Sequence, residues 1–242
     1  MEVQLLITCL NDALFPEVGM AVVETLEALG HRISFPADQT CCGQPAFNAG
    51  YWDDARPIAK HTISVLGNKP VPLVVPSGSC AAMLRHGYPE LFQDDAIWGQ
   101  RARELARRTH EFSEFLCMHG SIPESTYPYT RLAYHPSCHL LRMLGIRRQP
   151  LELLQSIQAI KIIPLPEDCC GFGGVFAVDH APISSEMVKR KIEAIEQADV
   201  EGVVACDVSC LMQIEGALRK RGSPIRCAHI AQVLVGQPLG LR

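Results

Sequence analysis

The sequence predicts an α/β protein built from two tandem, pseudo-repeated units, each with a parallel sheet flanked by helices. Short apolar runs typical of buried strands alternate with longer stretches of helical periodicity, which is the pattern of strand–helix–strand units. Four cysteines of the first half recur in the second half at offsets of 129, 128, 128 and 130 residues. Each set of four includes an adjacent Cys-Cys-Gly. A duplication therefore places the cysteines at the carboxyl ends of equivalent strands.

The first half begins with a short apolar run at residues 5–7, which predicts a buried strand. Apolar residues at helical spacing over 18–29 predict a helix, and a glycine at its end predicts the stop. Residues 32–35 indicate a second strand, and 53–66 indicate a second helix. The apolar run 71–76 predicts the third strand of this unit.

A bridging segment separates the two halves. Apolar residues at i, i+4 and i+7 predict one helix over residues 98–116. The stretch that follows is rich in Pro, Ser and Tyr, which is typical of a linker. We therefore predict a first unit over residues 1–118 including the bridging helix, a linker at 119–130, and a second unit over 131–242.

The second half repeats the order of the first. Strands are predicted at residues 131–134, 160–165 and 203–205, each of them a short apolar run. Helices are predicted at 151–157 and around 188–195, where the apolar residues fall at helical spacing. This agreement in element order supports the duplication that the cysteine offsets indicate.

The duplicated cysteines form two predicted quartets. In open α/β sheets, sites form beyond the carboxyl ends of the strands, so residues far apart in sequence converge there. Four thiolates are the number that holds one iron–sulfur cluster. We therefore predict two metal or redox centres, one in each half, and their ligands are Cys9, Cys41, Cys42 and Cys80 in the first and Cys138, Cys169, Cys170 and Cys210 in the second.

Three other interpretations of the quartets remain open at this point. Buried cysteines can pack as small hydrophobic residues. A vicinal disulfide at Cys41–Cys42 or Cys169–Cys170 would be strained, because neighbouring Cα atoms lie about 3.8 Å apart, below the usual disulfide range of about 4.4–6.8 Å. Zinc normally takes two short cysteine pairs, and an adjacent pair would have to bind one ion. Adjacent thiolates can instead reach different irons of one cluster.

Three further side chains are candidate ligands beyond the quartets. His135 and His139 flank Cys138 and can hydrogen-bond to a cluster sulfur or replace a ligand. Cys206 lies close to the second quartet in sequence and offers a fifth thiolate. Cys117 and Cys227 fall outside both sets, and we interpret them as incidental thiols.

Composition narrows the classes of function. The net charge of -4 argues against nucleic acid as the main partner. No apolar run of 18 residues is present, so we expect no membrane span. The first residues do not read as a signal peptide, and eleven cysteines without one favour a reducing cytoplasm, where cysteines more often bind metals than form disulfides.

The motifs around the cysteines resemble those of the cysteine-rich CCG family of iron–sulfur electron-transfer subunits. The resemblance covers essentially the whole chain, and within the family the motif flanks are most similar to those of lactate-utilisation members. The family's fuller motif ends each repeat in Cys-x-x-Cys, whereas this chain has Ser77 and Asp207 at the first of those positions. The segments that carry the resemblance are residues 39–48, 76–83, 134–139, 169–174 and 210–214.

The resemblance implies an electron-transfer subunit of a system that oxidises L-lactate to pyruvate. It also implies iron–sulfur clusters, expected as [4Fe–4S] because each site has four cysteines, and two partners: a ferredoxin-type iron–sulfur subunit and a third lactate-utilisation subunit. The sequence shows no glycine-rich loop for NAD or ATP, so the substrate-oxidising chemistry is expected in a partner. The alternatives are a thiol–disulfide enzyme subunit similar to heterodisulfide reductase, and a metal-binding regulator without turnover.

Overall fold

The computed structural model describes residues 1–119, 127–128 and 130–241, and it contains two four-stranded parallel sheets. The first sheet has the order β2-β1-β3-β4 and the second has the order β6-β5-β7-β8, so the two sheets share one topology. This confirms the predicted α/β class with two similar units. Most of the predicted linker, at residues 120–126 and 129, lies outside the described residues.

The strands are short and all pair in parallel. Those of the first sheet are β1 (Glu2–Leu5), β2 (Arg32–Ser34), β3 (Leu73–Val75) and β4 (Thr109–Glu111). Those of the second are β5 (Thr130–Tyr134), β6 (Ile160–Pro164), β7 (Gly202–Ala205) and β8 (Arg226–His229). Parallel pairing needs a crossover between consecutive strands, and helices supply it in both halves.

The helices flank both sheets. In the first half they are α1 (Cys9–Leu14), α2 (Pro16–Ala28), α3 (Gln44–Asn48), α4 (Trp52–Leu66), α5 (Gly78–Ala82), α6 (Tyr88–Leu91), α7 (Ala96–Arg108) and α8 (Phe112–His119). In the second half they are α9 (Gln149–Gln155), α10 (Phe176–Asp179), α11 (Ala181–Gln197), α12 (Val208–Lys220) and α13 (Ile230–Leu234). Single π-helical turns lie at Met83–Gly87 and His139–Met143. None of the helices among the described residues has the length and apolar character needed to cross a bilayer.

One hydrophobic cluster joins the two halves. It contains Val3 and Leu5 of β1 together with Leu132 of β5, Val204 of β7 and Ile230 of α13, all of them fully buried. Central strands buried on both faces carry continuous apolar runs, which explains why β3 and β7 were readable from sequence. The strand predicted at residues 5–7 was wrong in its bounds: β1 alternates apolar and polar residues over Glu2–Leu5, and its position is set by backbone pairing with β2 and β3. The shared core fixes the position of one sheet relative to the other, and with it the position of the two sets of cysteines.

The predicted bridging helix over residues 98–116 was wrong as one continuous element. The chain leaves the helix after Arg108, forms β4 and begins a new helix at Phe112. The strand contains the polar sequence Thr-His-Glu, so no apolar run marks it, and it exists because its backbone pairs with β3 in register Val74↔His110. The fourth strand of the second sheet was missed for the same reason, since β8 pairs with β7 but begins with an exposed arginine.

Candidate metal centre

All eight cysteines of the two quartets line a single cavity of about 160 Å³ between the two halves of the chain. Each cysteine follows the carboxyl end of a strand or begins the helix after it, as the sequence predicts. Parallel strands present their carboxyl ends at one edge of a sheet. Residues of both halves border the same space, and the cysteines among them lie up to 201 positions apart in the sequence.

The first quartet is compact. The Sγ atoms of Cys42 and Cys80 lie 3.4 Å apart, and the Gly43 N–H donates to Cys41 Sγ at 3.4 Å. Hydrogen bonds from the Cys42 and Cys9 thiols hold the pKa of Cys41 below that of an ordinary thiol. The corresponding hydrogen bond to Cys41 raises the pKa of Cys9. The four sulfurs are therefore linked by hydrogen-bond contacts into one connected set.

The second quartet repeats this arrangement. The Sγ atoms of Cys169 and Cys138 lie 3.9 Å apart, and the Gly171 N–H donates to Cys169 Sγ at 3.4 Å. Hydrogen bonds with Cys138 and Cys170 lower the pKa of Cys169. The hydrogen bond with Cys169, together with burial, raises the pKa of Cys138. Cys170 and Cys210 also lie within 4.8 Å of a ring nitrogen of His135. The second set thus has a nitrogen donor next to its sulfurs.

A glycine with positive φ follows the adjacent cysteine pair in both halves. Gly43 has φ 80° and Gly171 has φ 87°, a region that residues with a Cβ rarely adopt. A Cβ on Gly171 would lie 2.7 Å from the Ser184 carbonyl oxygen of α11, closer than real Cβ contacts. This backbone turn directs the amide of the glycine back toward the first sulfur of the pair, so the Cys-Cys-Gly sequence is a structural requirement of the site.

The sulfur distances fit thiols gathered around a metal centre. They are well above the S–S bond length of about 2.05 Å, so the cysteines are free thiols. Two thiolates on one tetrahedral metal with bonds of about 2.3 Å lie about 3.8 Å apart, close to the observed 3.4 and 3.9 Å. Thiolate and imidazole donors select zinc or iron–sulfur clusters over hard cations such as Mg²⁺. The donor set therefore fits metal or iron–sulfur binding.

One buried carboxylate connects the two halves at the base of the cavity. Asp207 Oδ1 accepts hydrogen bonds from the Ser77 hydroxyl at 2.7 Å and from the Ser79 N–H at 3.0 Å, and Oδ2 accepts from the Ser137 hydroxyl. These hydrogen bonds keep the pKa of Asp207 below its usual value although burial opposes the charge. Ser77 and Asp207 are equivalent by the duplication, so the two positions that lack the family's extra cysteine meet as a hydrogen-bonded pair.

The additional candidate ligands fall into different places. Cys206 is buried outside the cavity, and its pKa is raised by burial and by the nearby Glu111 carboxylate. His139 lines the cavity, with Nδ1 3.7 Å from Cys138 Sγ and Nε2 3.2 Å from the Gln44 amide. His135 is fully buried, and neither ring nitrogen forms a hydrogen bond within the described part of the chain. The structure thus places the two histidines, but not Cys206, next to sulfurs of the second quartet.

Sequence reasoning missed Lys191, which is 1 % exposed on α11. Its ammonium group donates to the Pro166 carbonyl oxygen at 2.5 Å. Burial lowers the pKa of Lys191, and the negative charges of Asp168 and of the nearby cysteine sulfurs oppose that shift. A signal for this burial was present, because Lys191 is three residues after Val188 and four before Ile195, on the apolar stripe of the helix.

Comparison with known proteins agrees with the duplicated structure. The model of a cysteine-rich domain, CCG, matches residues 3–85 and again residues 132–215. The chain is 44% identical over 238 residues to lactate utilization protein A of Exiguobacterium sp., covering 96% of both chains. It is 42% identical over 237 residues to lactate utilization protein A of Halalkalibacterium halodurans, covering 97% of this chain and 96% of the relative.

Proposed function

Because the chain belongs to the family of cysteine-rich CCG-domain proteins, we propose that it is an iron–sulfur electron-transfer subunit of a system that oxidises L-lactate to pyruvate. The substrate part of this proposal is supported by the relatives, which are named lactate utilization proteins and align with nearly the whole chain. The electron-transfer part is supported by the thiol chemistry of the site.

The observation that carries the proposal is the meeting of both quartets at one cavity. Eight free thiols in two sets, with sulfur contacts of 3.4 and 3.9 Å, form donor sets for two closely spaced centres. A lone substrate site needs one such set, whereas passing electrons requires centres near each other. Two sets that border one space therefore favour transfer between centres over a single catalytic metal.

The proposed ligands of the first centre are Cys9, Cys41, Cys42 and Cys80, and those of the second are Cys138, Cys169, Cys170 and Cys210. The group that fits four thiolates per site is a [4Fe–4S] cluster, which supplies one-electron oxidation and reduction. Around it, the Gly43 and Gly171 amides donate to sulfur, and such hydrogen bonds favour the reduced, more negative state.

We further propose the organisation of the complete system. Residues 1–118 form the first repeat with its bridging elements, 119–130 the linker and 131–242 the second repeat. The protein is cytoplasmic and works with a ferredoxin-type iron–sulfur subunit and a third lactate-utilisation subunit, one of which carries the site that oxidises lactate. In this arrangement the chain is a redox subunit without its own substrate-oxidising site.

The first experiment measures iron, zinc and acid-labile sulfide in protein purified without oxygen, together with EPR spectra before and after reduction. We expect roughly four irons with matching sulfide per quartet and a reducible signal. Cys80→Ser and Cys210→Ser should each remove one centre, whereas Cys227→Ser, at a buried thiol outside the cavity, should retain both. Zinc, or loading that is insensitive to these variants, would refute the electron-transfer proposal.

A growth experiment tests the substrate. Deleting the gene should abolish growth on L-lactate while leaving growth on pyruvate intact, because pyruvate enters after the proposed step. The wild-type gene and the Cys227→Ser variant should restore growth, and Cys80→Ser should not. Undiminished lactate oxidation in the deletion strain would refute the lactate assignment without affecting the metal assignment.

A further inference from the structure

The walls around the two quartets differ in charge, although the backbones around them are equivalent. Two fully buried nitrogen-bearing side chains lie near the second quartet. A ring nitrogen of His135 is within 4.8 Å of the sulfurs of Cys170 and Cys210, and the Lys191 ammonium group donates to the carbonyl oxygen of Pro166, three residues before Cys169. The equivalent positions of the first half hold side chains without a positive charge. Each of these two side chains has an equivalent position in the first repeat, so the difference in charge can be traced to particular residues.

His135 corresponds to Leu6. The His135 N–H donates to the Val204 carbonyl oxygen at 2.9 Å, just as the Leu6 N–H donates to that of Val74 at 3.0 Å. Both residues follow the central strand that leads to the first cysteine of their quartet. Leu6 belongs to the same buried cluster of the first half as Cys42 and Cys80. The first centre therefore meets an aliphatic side chain where the second meets an imidazole.

Lys191 corresponds to Thr62. Gly43 faces Ala55 and Ile58 of α4, and Gly171 faces Ser184 and Met187 of α11, which aligns the two helices at an offset of 129 residues. The same offset takes Thr62 to Lys191, and both side chains are 1 % exposed. A buried hydroxyl in the first half is thus replaced by a buried ammonium group in the second.

The nearby carboxylates do not cancel this difference. Asp207 hydrogen-bonds to serines of both halves, so its negative charge acts on both centres. Asp168 is specific to the second half, but it is exposed, and water weakens the field of an exposed charge more than that of a buried one. The cationic excess at the second quartet therefore remains.

Building on the proposed electron-transfer function, we propose that Lys191 and His135 make the second quartet the electron-accepting centre of the pair. A cation in a low-dielectric wall stabilises the centre that has gained an electron, and an imidazole donor acts in the same direction by donating an N–H or replacing thiolate charge. With clusters bound at both quartets, one electron would pass from the reduced centre at the first quartet to the oxidised centre at the second. The step requires no other reactant, and it gives electron flow through the chain a direction.

The test is a redox titration of the full chain, purified without oxygen and followed by EPR. Cys80→Ser and Cys210→Ser identify the signal of each centre by removing the other. In the wild type, the second centre should have the higher midpoint potential. The double variant His135→Leu with Lys191→Thr gives the second quartet the residues found at the equivalent positions of the first. It should lower the midpoint potential of the second centre by at least about 59 mV, which is a tenfold change in a one-electron reduction equilibrium.

Two control variants separate charge from general damage. Lys191→Arg retains the charge at the same position and should keep the second potential near that of the wild type. Lys189→Met removes a lysine two residues away on α11, at an exposed position paired with Glu186, and should change neither potential. If the double variant His135→Leu with Lys191→Thr loads both centres and leaves the order of their midpoint potentials and the difference between them unchanged, the directional inference is wrong. The electron-transfer proposal would still stand. If the wild type fails to load iron and sulfide at the quartets, the proposed function itself fails.

Discussion

Asp207→Ala should destabilise the protein far more than the substitution of an exposed carboxylate. The side chain is 1 % exposed and accepts three hydrogen bonds, from Ser77, Ser79 and Ser137. Removing the acceptor takes this partner from the buried Ser137 hydroxyl and the half-buried Ser79 amide, and within the described residues it leaves the buried Ser77 hydroxyl only Ser79 Oγ as an acceptor. It also releases the contact that links the segment before Cys80 with the segment before Cys138.

The magnitude follows from the number and type of these bonds. A hydrogen bond to a charged group contributes about 1.5–3 kcal/mol, and removing one partner of a buried charged set costs about 3–5 kcal/mol. We expect the free energy of unfolding of Asp207→Ala to fall by about 3–5 kcal/mol. Asp207→Asn keeps the shape and one acceptor oxygen, so its loss should be near 1–2 kcal/mol by the usual value of roughly 1 kcal/mol per neutral hydrogen bond.

Urea unfolding of anaerobically purified protein, followed by circular dichroism at pH 7, measures these differences. Asp38→Ala removes an exposed carboxylate and should change stability by less than about 0.5 kcal/mol. Because the pKa of Asp207 is lowered in the folded state, its contribution is present above the unfolded pKa and is lost as the pH falls through the folded value. An Asp207→Ala protein as stable as Asp38→Ala would refute the role of this carboxylate as a structural link.

Three further predictions concern other buried groups. Burial raises the pKa of Glu111 to about 8 from 4.5, so between these pH values the unfolded chain loses this proton while the folded chain keeps it. The wild type therefore loses stability as the pH rises through this range, and Glu111→Gln does not. Urea unfolding from pH 5 to 8 should show Glu111→Gln gaining stability relative to the wild type by up to about 1.4 kcal/mol per pH unit. Gly171→Ala should lose iron at the second quartet and destabilise the protein more than Gly43→Ala. The Cβ at position 171 would meet a carbonyl oxygen at 2.7 Å, whereas that at position 43 would meet a side-chain methyl at 3.3 Å. Equal losses of iron and of stability in the two variants would contradict this difference. Cys206→Ser should retain full iron and sulfide content, since this thiol lies outside the cavity, and loss of one centre would show that it is a ligand.

The features that sequence determined are those with local or periodic signatures. Apolar runs mark β3 and β7 because central parallel strands are buried on both faces. The offsets between equivalent cysteines reveal the duplication without any structure, and the strand-then-cysteine order places each thiol at a carboxyl end. The position of Lys191 on the apolar stripe of α11 was also present in the sequence, but its burial was not recognised there.

The features that only tertiary structure decided depend on contacts between distant segments. The strand β4 is too polar to recognise, and it exists because its backbone pairs with β3. Ser77 and Asp207 are 130 residues apart, and no local pattern indicates that their side chains hydrogen-bond. Sequence therefore determined which residues form each quartet, since covalent spacing and strand order suffice for that. Packing of one sheet against the other decided that both quartets border one cavity. Packing of α11 decided that the Lys191 ammonium group is buried in the second half, because burial is a property of the folded chain.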